Sequence, residues 1–546
     1  MIPQAPSDNP VPDSVPTPDS PEAMGSPVPF RSILFADSDT PPNLDEREAP
    51  DIFKDLNLDQ VVLSLTAGRE EYNLGPFFYT PLLDVKTVNY RQEIFRDLEI
   101  EDVALGLQSF ARDMKKMRSN LAQAGKLYYQ RQKQRWFLDA VMVYAYAARQ
   151  LNHHLLHTTI GSQGLSGFRS YLASYIESNE FRTLADEGEK LKNALSDIRY
   201  SLAISGQRVT VSECYSEVDY SVDVLRTFEK FRQGTAKAYK FEYHSTVDMN
   251  HVEAAILDFV AKLHPETFAA LEEYGRRHAA YLDRTIAKFD REIQFYLACL
   301  KYISKLRKAE LPFCYPEVTD RSREVYGKNV FDLALAAIRV HERSSIVLND
   351  FYLRDPERVL VVSGPNQGGK TTFARTFGQL HYLASIGCPV PAAQARLFLS
   401  DRIFTHFDRE EDIRNLSGKL EDELNRIHHI LEAATSDSIL IMNESFLATT
   451  LNDALFLSKE VMRRISALGM LCVSVTFLDE LASLNETTVS MVSTVNPGDP
   501  ASRTFKLVRR PADGLAYAVA IAKKHRLTYE AVRARVIANA KRQVTK

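Results

Sequence analysis

The spacing of apolar residues divides the chain into a helical part and a part in which strands and helices alternate. Between Asp51 and about Leu311, apolar side chains recur every three or four residues, which is typical of amphipathic helices. The longest stripe runs from about Pro265 to Ala309 and predicts one helix of about 60 Å, long enough to act as a lever. Its apolar positions are Leu282, Ile286, Phe289, Ile293, Leu297 and Leu300.

Two further elements stand out in the helical part. The segment RQKQRWFLDAVMVYAYAARQLNHHLL, residues 131–156, predicts a second apolar helix. Apolar and polar residues alternate on both sides of Gly206-Gln207, which predicts a β-hairpin inserted among the helices.

After residue 311 the pattern changes from helical to mixed. Strand-like runs at 358–363, 438–442 and 471–476 alternate with helical runs at about 420–434 and 452–467. Alternation of this kind predicts an α/β fold, a parallel sheet covered by helices on both faces.

The first 49 residues differ in composition from the rest of the chain. Nine of the 24 prolines lie within the first 30 residues, which contain no Lys or Arg and four acidic residues. Such a segment buries too little apolar surface to fold alone, so residues 1–49 are predicted to be a disordered leader. The first 30 residues alone account for the formal net charge of −4, and a neutral remainder does not indicate a strongly basic nucleic-acid-binding domain.

The sequence also predicts the cellular compartment and the domain organisation. No apolar run reaches the roughly 18 residues of a membrane span, and the N-terminus lacks the features of a signal peptide. We therefore expect a cytoplasmic protein, with its five scattered cysteines reduced. Three regions are predicted: the leader, a helical domain over 50–311 with a hairpin or clamp-like insert near 200–245, and an α/β domain over 312–546.

The sequence SGPNQGGKTT between a predicted strand and a predicted helix carries the chemistry. It fits the pattern G-x-x-x-x-G-K-[ST], in which backbone N–H groups cradle phosphate oxygens and a helix N-terminus adds its positive dipole end. Lys370 is expected to reach the β- and γ-phosphates of ATP, and the Thr371 hydroxyl to be a ligand of Mg²⁺. The predicted nucleotide-binding residues of this loop are Gly364, Pro365, Asn366, Gln367, Gly368, Gly369, Lys370, Thr371 and Thr372.

From this loop onward the chain resembles the MutS family of DNA mismatch-repair ATPases. The loop itself, the turn GCPVPA at 387–392 and the segment DRIFT at 401–405 occur in the family's order. SILIMNES at 438–445 and SVTFLDELASL at 474–484 continue the similarity, which is strong over about 345–530 and looser before it. The resemblance implies an ABC-type P-loop ATPase domain at the C-terminus, with dimerising helices at its end, behind a helical core and lever domain.

Several positions carry family roles by resemblance. Glu444 matches the carboxylate that polarises the attacking water, and Lys370 is the second catalytic candidate. Asn349 matches an Asn near the adenine, and Ile346 stands where relatives stack an aromatic residue on the base. Asn443 replaces the family's Asp beside Mg²⁺, so Thr371, Asn443 and Glu444 are the predicted metal-site residues, with weaker Mg²⁺ dependence than an Asp would give.

Two further departures concern the γ-phosphate. Phe477 stands where relatives carry a His, and Gly418-Lys419-Leu420 stands where they carry Ser-Thr-Phe at a helix start. Ser417 and the N–H groups after it could bind a γ-phosphate across a dimer. We hypothesise that Lys419 reaches the partner's nucleotide; a solvated lysine on a helix face fits its spacing equally well.

Contact with DNA has the least support in the sequence. The family's mismatch reader is an N-terminal domain with a Phe-x-Glu motif, which residues 1–50 do not contain, and no connector domain is recognisable. Residues 226–244 interleave Lys and Arg with Phe and Tyr, and could either grip a nucleic acid or form an ordinary amphipathic helix.

The sequence predicts a homodimeric MutS-like ATPase that binds ATP and Mg²⁺, hydrolyses slowly, and clamps or senses DNA structure in mismatch repair or recombination. Two alternatives remain open. One is a nucleotide-gated dimerisation scaffold with little hydrolysis, and the other is an ATPase that binds RNA, ribosomes or a protein partner.

Overall fold

The computed structural model describes residues 30–36, 43–214, 249–408, 418–496, 499–512 and 526–544 of the 546-residue chain. A helical half is followed by an α/β half, and one hydrophobic core extends through both. The halves predicted on either side of residue 311 are therefore packed together rather than separated by a linker.

The helical half consists of helices of very different lengths. The two longest, α5 and α6, pack along each other, and α6 contains the predicted helical segment 131–156. The helices are α1 Ile52–Asp55, α2 Leu58–Thr66, α3 Gly75–Tyr79, α4 Val85–Leu98, α5 Glu101–Lys126, α6 Gln130–His157, α7 Gln163–Ile176, α8 Asn179–Asp197, α9 His251–Leu263, α10 Pro265–Arg277 and α11 Arg284–Arg307. Strands β1 Tyr200–Ser205 and β2 Arg208–Glu213 form an antiparallel hairpin that turns at Gly206-Gln207, where the sequence predicted it.

The prediction of one long helix from about Pro265 to Ala309 is wrong. The segment forms α10 and α11, and the chain between them leaves helical geometry. Asp283 adopts an extended conformation and its side chain accepts a hydrogen bond from the N–H of Ile286 at 2.9 Å, which starts a new helix. α11 has 24 residues, or about 36 Å, and most of its surface is buried, so it is a core helix and not a free lever.

The leader boundary predicted at residue 49 is also wrong. Ser32 to Phe35 are buried, and the Ser32 hydroxyl and the Ile33 N–H both donate to the carboxylate of Glu292 on α11, at 2.7 and 2.8 Å. We call residues 30–36 the N-terminal strap. The composition-based boundary did not separate the strap from the leader, because the strap is a short apolar run, FRSILF, directly after the proline-rich segment. Its residues are buried by helices that lie far away in the sequence.

The α/β half contains two sheets. The larger has the order β12-β11-β6-β10-β9-β8, with all neighbours parallel except the antiparallel pair β11 and β12. The smaller has the order β3-β7-β4-β5 and mixes parallel and antiparallel neighbours. The strands are β3 Glu317–Thr319, β4 Val325–Val330, β5 Asn349–Leu353, β6 Val359–Ser363, β7 Gln394–Phe398, β8 Ile403–Phe407, β9 Ile439–Asn443, β10 Leu471–Val475, β11 Thr488–Asn496 and β12 Asp499–Arg509.

Five α-helices belong to this half in the described part of the chain. They are α12 Leu333–His341, α13 Lys370–Ser385, α14 Lys419–Ala433, α15 Leu451–Leu468 and α16 Tyr529–Val544. Of these, α13 packs against β9 and β10 of the larger sheet. The predicted strands at 358–363, 438–442 and 471–476 correspond to β6, β9 and β10, whose parallel pairing confirms the α/β prediction. The mixed smaller sheet was not foreseen.

Two of the predicted features, the segment 226–244 and Ser417, lie outside the described residues. Within the described ranges, no helix combines the length and apolarity needed to cross a membrane. In the same ranges, no cluster of three or more His, Cys, Asp or Glu side chains is placed to hold a metal ion.

Candidate functional site

A pocket of about 690 Å³ opens over the loop between β6 and α13. Its floor is the predicted phosphate-binding loop, from Asn366 to Thr372. Ile346, just before β5, and Asn349, the first residue of β5, also line the pocket, as does Glu444. The structure thus brings residues from three separate sequence regions to one cavity.

The loop has the backbone conformations that its glycines permit. Gly364 and Gly369 adopt φ angles of 118° and 90°, and Gly369 is the residue before the first turn of α13. A β-carbon on Gly368 would lie 2.2 Å from the Ser493 Oγ, because β11 passes directly behind the loop. Glycine at position 368 therefore lets the loop pack closely against β11.

Lys370 lies folded over this loop. Its Nζ donates to the carbonyl oxygens of Gly364 and Pro365 at 2.9 and 3.3 Å, and lies 4.0 Å from Oε1 of Glu444. Burial lowers the pKa of the Lys370 ammonium, and the negative charge of Glu444 opposes that shift. The two predicted catalytic residues therefore face each other across the mouth of the loop.

The predicted metal-site residues are also adjacent. The Thr371 hydroxyl, in the first turn of α13, donates to Oδ1 of Asn443 at 2.8 Å. Asn443 is the last residue of β9, and Glu444 follows it with φ of 53°, held by its N–H to the carbonyl of Val475 at 2.9 Å. This arrangement places a hydroxyl oxygen, an amide oxygen and a carboxylate at the end of one strand, oxygen donors of the kind that Mg²⁺ accepts.

The side chain of Asn349 makes hydrogen bonds that were not predicted from the sequence. Its Nδ2 donates to the carbonyl of Phe505 at 3.2 Å and its Oδ1 accepts from the N–H of Leu507 at 2.8 Å. Both polar ends of the side chain are thus used on β12. Asn349 orients the wall of the pocket, and Ile346 presents apolar surface to it.

Three residues of the β11–β12 hairpin belong to the site and were missed. Phe505 lines the pocket with its side chain about half exposed, and supplies an aromatic ring to the cavity that Ile346 also lines. Arg503 Nε donates to the carbonyl of Asn366 at 3.1 Å, and Ser493 Oγ donates to the carbonyl of Gly368 at 2.7 Å. No local motif marks these residues, since they reach the loop only through sheet pairing.

The substituted signature segment lies at the start of α14. Lys419 Nζ is 2.8 Å from Oδ1 of Asp408 in the same chain, so its ammonium is engaged at the end of β8. From the next turn, Glu423 accepts a hydrogen bond from the N–H of Phe446 at 2.9 Å, and burial raises the pKa of its carboxyl. α14 is therefore tied to the loop that carries Glu444.

The comparisons with known proteins all indicate the same family. Residues 360–544 match the model of MutS domain V. The DNA mismatch repair protein MutS of Thermosipho melanesiensis is 26% identical over 320 residues, 57% of this chain and 38% of that protein. MutS 2 of Halobacterium salinarum is 36% identical over 141 residues, 26% of this chain and 16% of that protein. MSH3 of Kluyveromyces lactis is 28% identical over 170 residues, 31% of this chain and 16% of that protein. The chain spans well under half the length of these relatives.

Proposed function

This chain belongs to the MutS family, and from that premise we propose that it is a Mg²⁺-dependent ATPase that acts as a dimer on DNA in mismatch repair or recombination. The observation that carries the proposal is the convergence of Lys370, Thr371, Asn443 and Glu444 at the mouth of one pocket. Relatives at 26% and 36% identity are named as DNA mismatch repair proteins.

The residues present fit ATP and Mg²⁺. The backbone N–H groups at the start of α13 would hold phosphate oxygens, and Ile346 with Phe505 would contact the base. Thr371 and Asn443 would hold Mg²⁺ through their oxygens, and Lys370 would neutralise phosphate charge. ATP supplies the transferable phosphoryl group, and Glu444 would orient the water that attacks it.

Exposed apolar side chains in the α/β half support a dimer. Leu447, Leu451, Phe456 and Phe477 lie on segments that follow β9 and β10, and their exposed fractions run from 42% to 68%. A second copy that covers these side chains would remove their apolar surface from water, which favours association.

Two substitutions test the nucleotide chemistry in the full chain. Lys370→Ala should weaken binding of a fluorescent ATP analogue at least tenfold, because the Lys370 charge is lost. Glu444→Gln should keep binding within about threefold but lower steady-state hydrolysis at least tenfold. Unchanged thermal unfolding of both variants is the control, and normal ATP binding by Lys370→Ala would contradict the site.

The hydrolysis measurement also distinguishes an ATPase from a nucleotide-gated dimerisation scaffold. Asn443 and Phe477 are observations that favour a nucleotide-gated dimerisation scaffold, because both replace polar groups expected near the reacting phosphate. If wild-type turnover is no faster than that of Glu444→Gln while ATP still drives dimerisation, the scaffold describes the protein better.

The DNA partner requires its own experiment. Gel-shift titrations with homoduplex, mismatched and branched DNA, each at two stated salt concentrations, would show whether and which DNA is held. We expect tighter binding to a branched or mismatched duplex than to the homoduplex when ATP is present. Equal failure with all three DNAs, together with binding to RNA, would favour the alternative of an RNA-binding ATPase.

A further inference from the structure

A second large groove lies in the helical half, away from the nucleotide pocket. It has a volume of about 720 Å³ and runs between α5, α11 and the turn that follows α2. Apolar side chains such as Leu98, Leu297 and Leu300 form part of its lining, and no Asp or Glu does. The charged residues of the lining are all cations: Arg69, Arg112, Lys115 and Lys301.

These four cations make no ion pair within 4.0 Å in the part of the chain that the structure describes. Arg69 Nε donates to Oε1 of Gln294 at 3.4 Å and Arg112 Nη2 to Ser109 Oγ at 3.2 Å, both neutral acceptors. Glu70, which is not part of the lining, lies close enough to Lys115 for the two charges to interact, and its Oε1 also accepts from the N–H of Gly68 at 2.8 Å. Because the lining itself holds four cations and no carboxylate, the groove fits an anionic ligand that also carries apolar side chains.

We propose that this groove binds the chain's own acidic leader, residues 1–29. These residues contain Asp8, Asp13, Asp19 and Glu22 and no Lys or Arg, so their side-chain charge of −4 matches the four cations of the groove. The leader is rich in proline, and proline-rich segments favour an extended conformation that loses little entropy on docking into a groove. Its Val, Pro and Met side chains provide the apolar contacts.

The leader can reach the groove. The described chain begins at Phe30, which packs against Phe168, and Ser32 is bonded to Glu292 on α11. Lys301 lies nine residues farther along the same helix, about 14 Å at 1.5 Å per residue. An extended segment of 29 residues spans up to about 90 Å at 3.1 Å per residue, so the groove is within range. Tethering also raises the local concentration of the leader to about the millimolar range.

Docking of the leader would make the groove selective. An acidic protein or a nucleic-acid backbone would have to displace four carboxylates before reaching the same cations. The proposal is independent of the ATPase chemistry, since none of the groove residues lines the nucleotide pocket.

Zero-length cross-linking of the full-length protein with a water-soluble carbodiimide tests the proposal, because this reagent joins carboxylates only to amines in contact with them. Peptide mass spectrometry should find leader carboxylates joined to Lys115 and Lys301 at least fivefold more often than to Lys116 and Lys305. These two lysines are exposed on α5 and α11 but outside the groove lining, and acetylation rates normalise their reactivity. One molar salt should abolish the preference.

Charge reversal provides the matched variants. Arg112→Glu combined with Lys301→Glu should lower cross-linking of the leader to Lys115 at least fivefold, whereas Lys116→Glu combined with Lys305→Glu should leave it unchanged. Leader cross-links spread evenly over all four lysines would overturn the proposal. A mixture of isotope-labelled and unlabelled protein gives a second check, since mixed-isotope products would place the leader on another copy and contradict docking within one chain. Loss of oligonucleotide binding in the groove variant, with leader cross-links unaltered, would assign the groove to nucleic acid instead.

Discussion

At the scale of single residues, the pair Thr371 and Asn443 decides how the site differs from its family pattern. The Thr371 hydroxyl donates to the Asn443 amide oxygen at 2.8 Å, so the substituted residue keeps the position and the oxygen of the expected carboxylate. What it lacks is the negative charge. In a partly buried site this charge contributes strongly to holding a divalent cation.

Restoring the carboxylate should therefore strengthen the dependence on Mg²⁺. For Asn443→Asp we expect the Mg²⁺ concentration that half-saturates nucleotide binding to fall about tenfold, equivalent to about 1.4 kcal/mol. Fluorescent-nucleotide titrations at varied Mg²⁺ measure it, with hydrolysis as a second readout. Asn443→Ala, which removes the oxygen, should shift the midpoint the other way, and identical midpoints for Asn and Asp would show that residue 443 does not act on the metal.

At the scale of elements, α13 links the pocket to the helical half. Gly378 on this helix approaches Leu56 and Ile441 so closely that a β-carbon would lie within 2.7 Å of each side chain. Gln379 Nε2 donates to the carbonyl of Leu56 at 2.8 Å, and Arg375 Nε donates to that of Asp55 at 2.9 Å. The helix whose first turn is predicted to hold phosphate is thus packed, from Arg375 to Gln379, against the end of α1 and Leu56.

His381 makes the packing of this helix sensitive to acid. The side chain is buried, with Nδ1 bonded to the carbonyl of Phe377 at 2.9 Å, and burial lowers its pKa from 6.5 to about 4. Between pH 6.5 and 4 the unfolded chain binds a proton that the folded chain does not, so the free energy of unfolding falls as pH falls. The His381 contribution is a loss of about 3 kcal/mol over that range.

Urea unfolding at pH 7 and at pH 4.5 checks this expectation. Wild type should lose about 2 to 3 kcal/mol more stability between the two pH values than His381→Gln, which cannot titrate. A variant on the surface of another helix, His429→Gln, should follow wild type, because His429 is exposed. Equal losses in wild type and His381→Gln would mean that His381 is protonated in the fold.

At the scale of the whole molecule, Arg91 joins the N-terminal strap to the α/β half. Its guanidinium is fully buried, with Nε donating to the carbonyl of Leu34 at 2.8 Å and Nη1 to that of Ile386 at 2.9 Å. Ile386 is the residue that follows α13, where a cation also complements the helix dipole. One side chain therefore connects the strap, α4 and the end of the helix that begins at Lys370.

Removing the Arg91 charge should destabilise both the N-terminal strap and the end of α13. Arg91→Met leaves two buried carbonyl groups without partners, and we expect a loss of at least about 2 kcal/mol in the free energy of unfolding. Hydrogen exchange should become faster at the amides of Ile33 to Phe35 and of Gly387 and Cys388. Asn89→Met, at an exposed position of α4, is the control, and should change stability by less than about 0.5 kcal/mol.

How much of the molecule was predictable depends on whether the signal was local. The α/β class, the hairpin at Gly206 and the strand, loop and helix around Lys370 were all predicted from neighbouring residues. The break before α11 and the burial of the N-terminal strap were not, because Asp283 also fits inside a helical stripe and the strap gains its stability from Glu292 and Arg91.

The amino-acid sequence by itself determined the parallel strands and the phosphate-binding loop, since hydrophobic runs and glycine conformations are properties of short segments. Only the tertiary structure decided what surrounds that loop. Ser493, Arg503 and Phe505 reach it more than 120 positions later through sheet pairing, and Asn349 positions β12 instead of presenting free polar groups to the pocket. Such contacts depend on how distant strands pair and pack, and no pattern within a single segment encodes them.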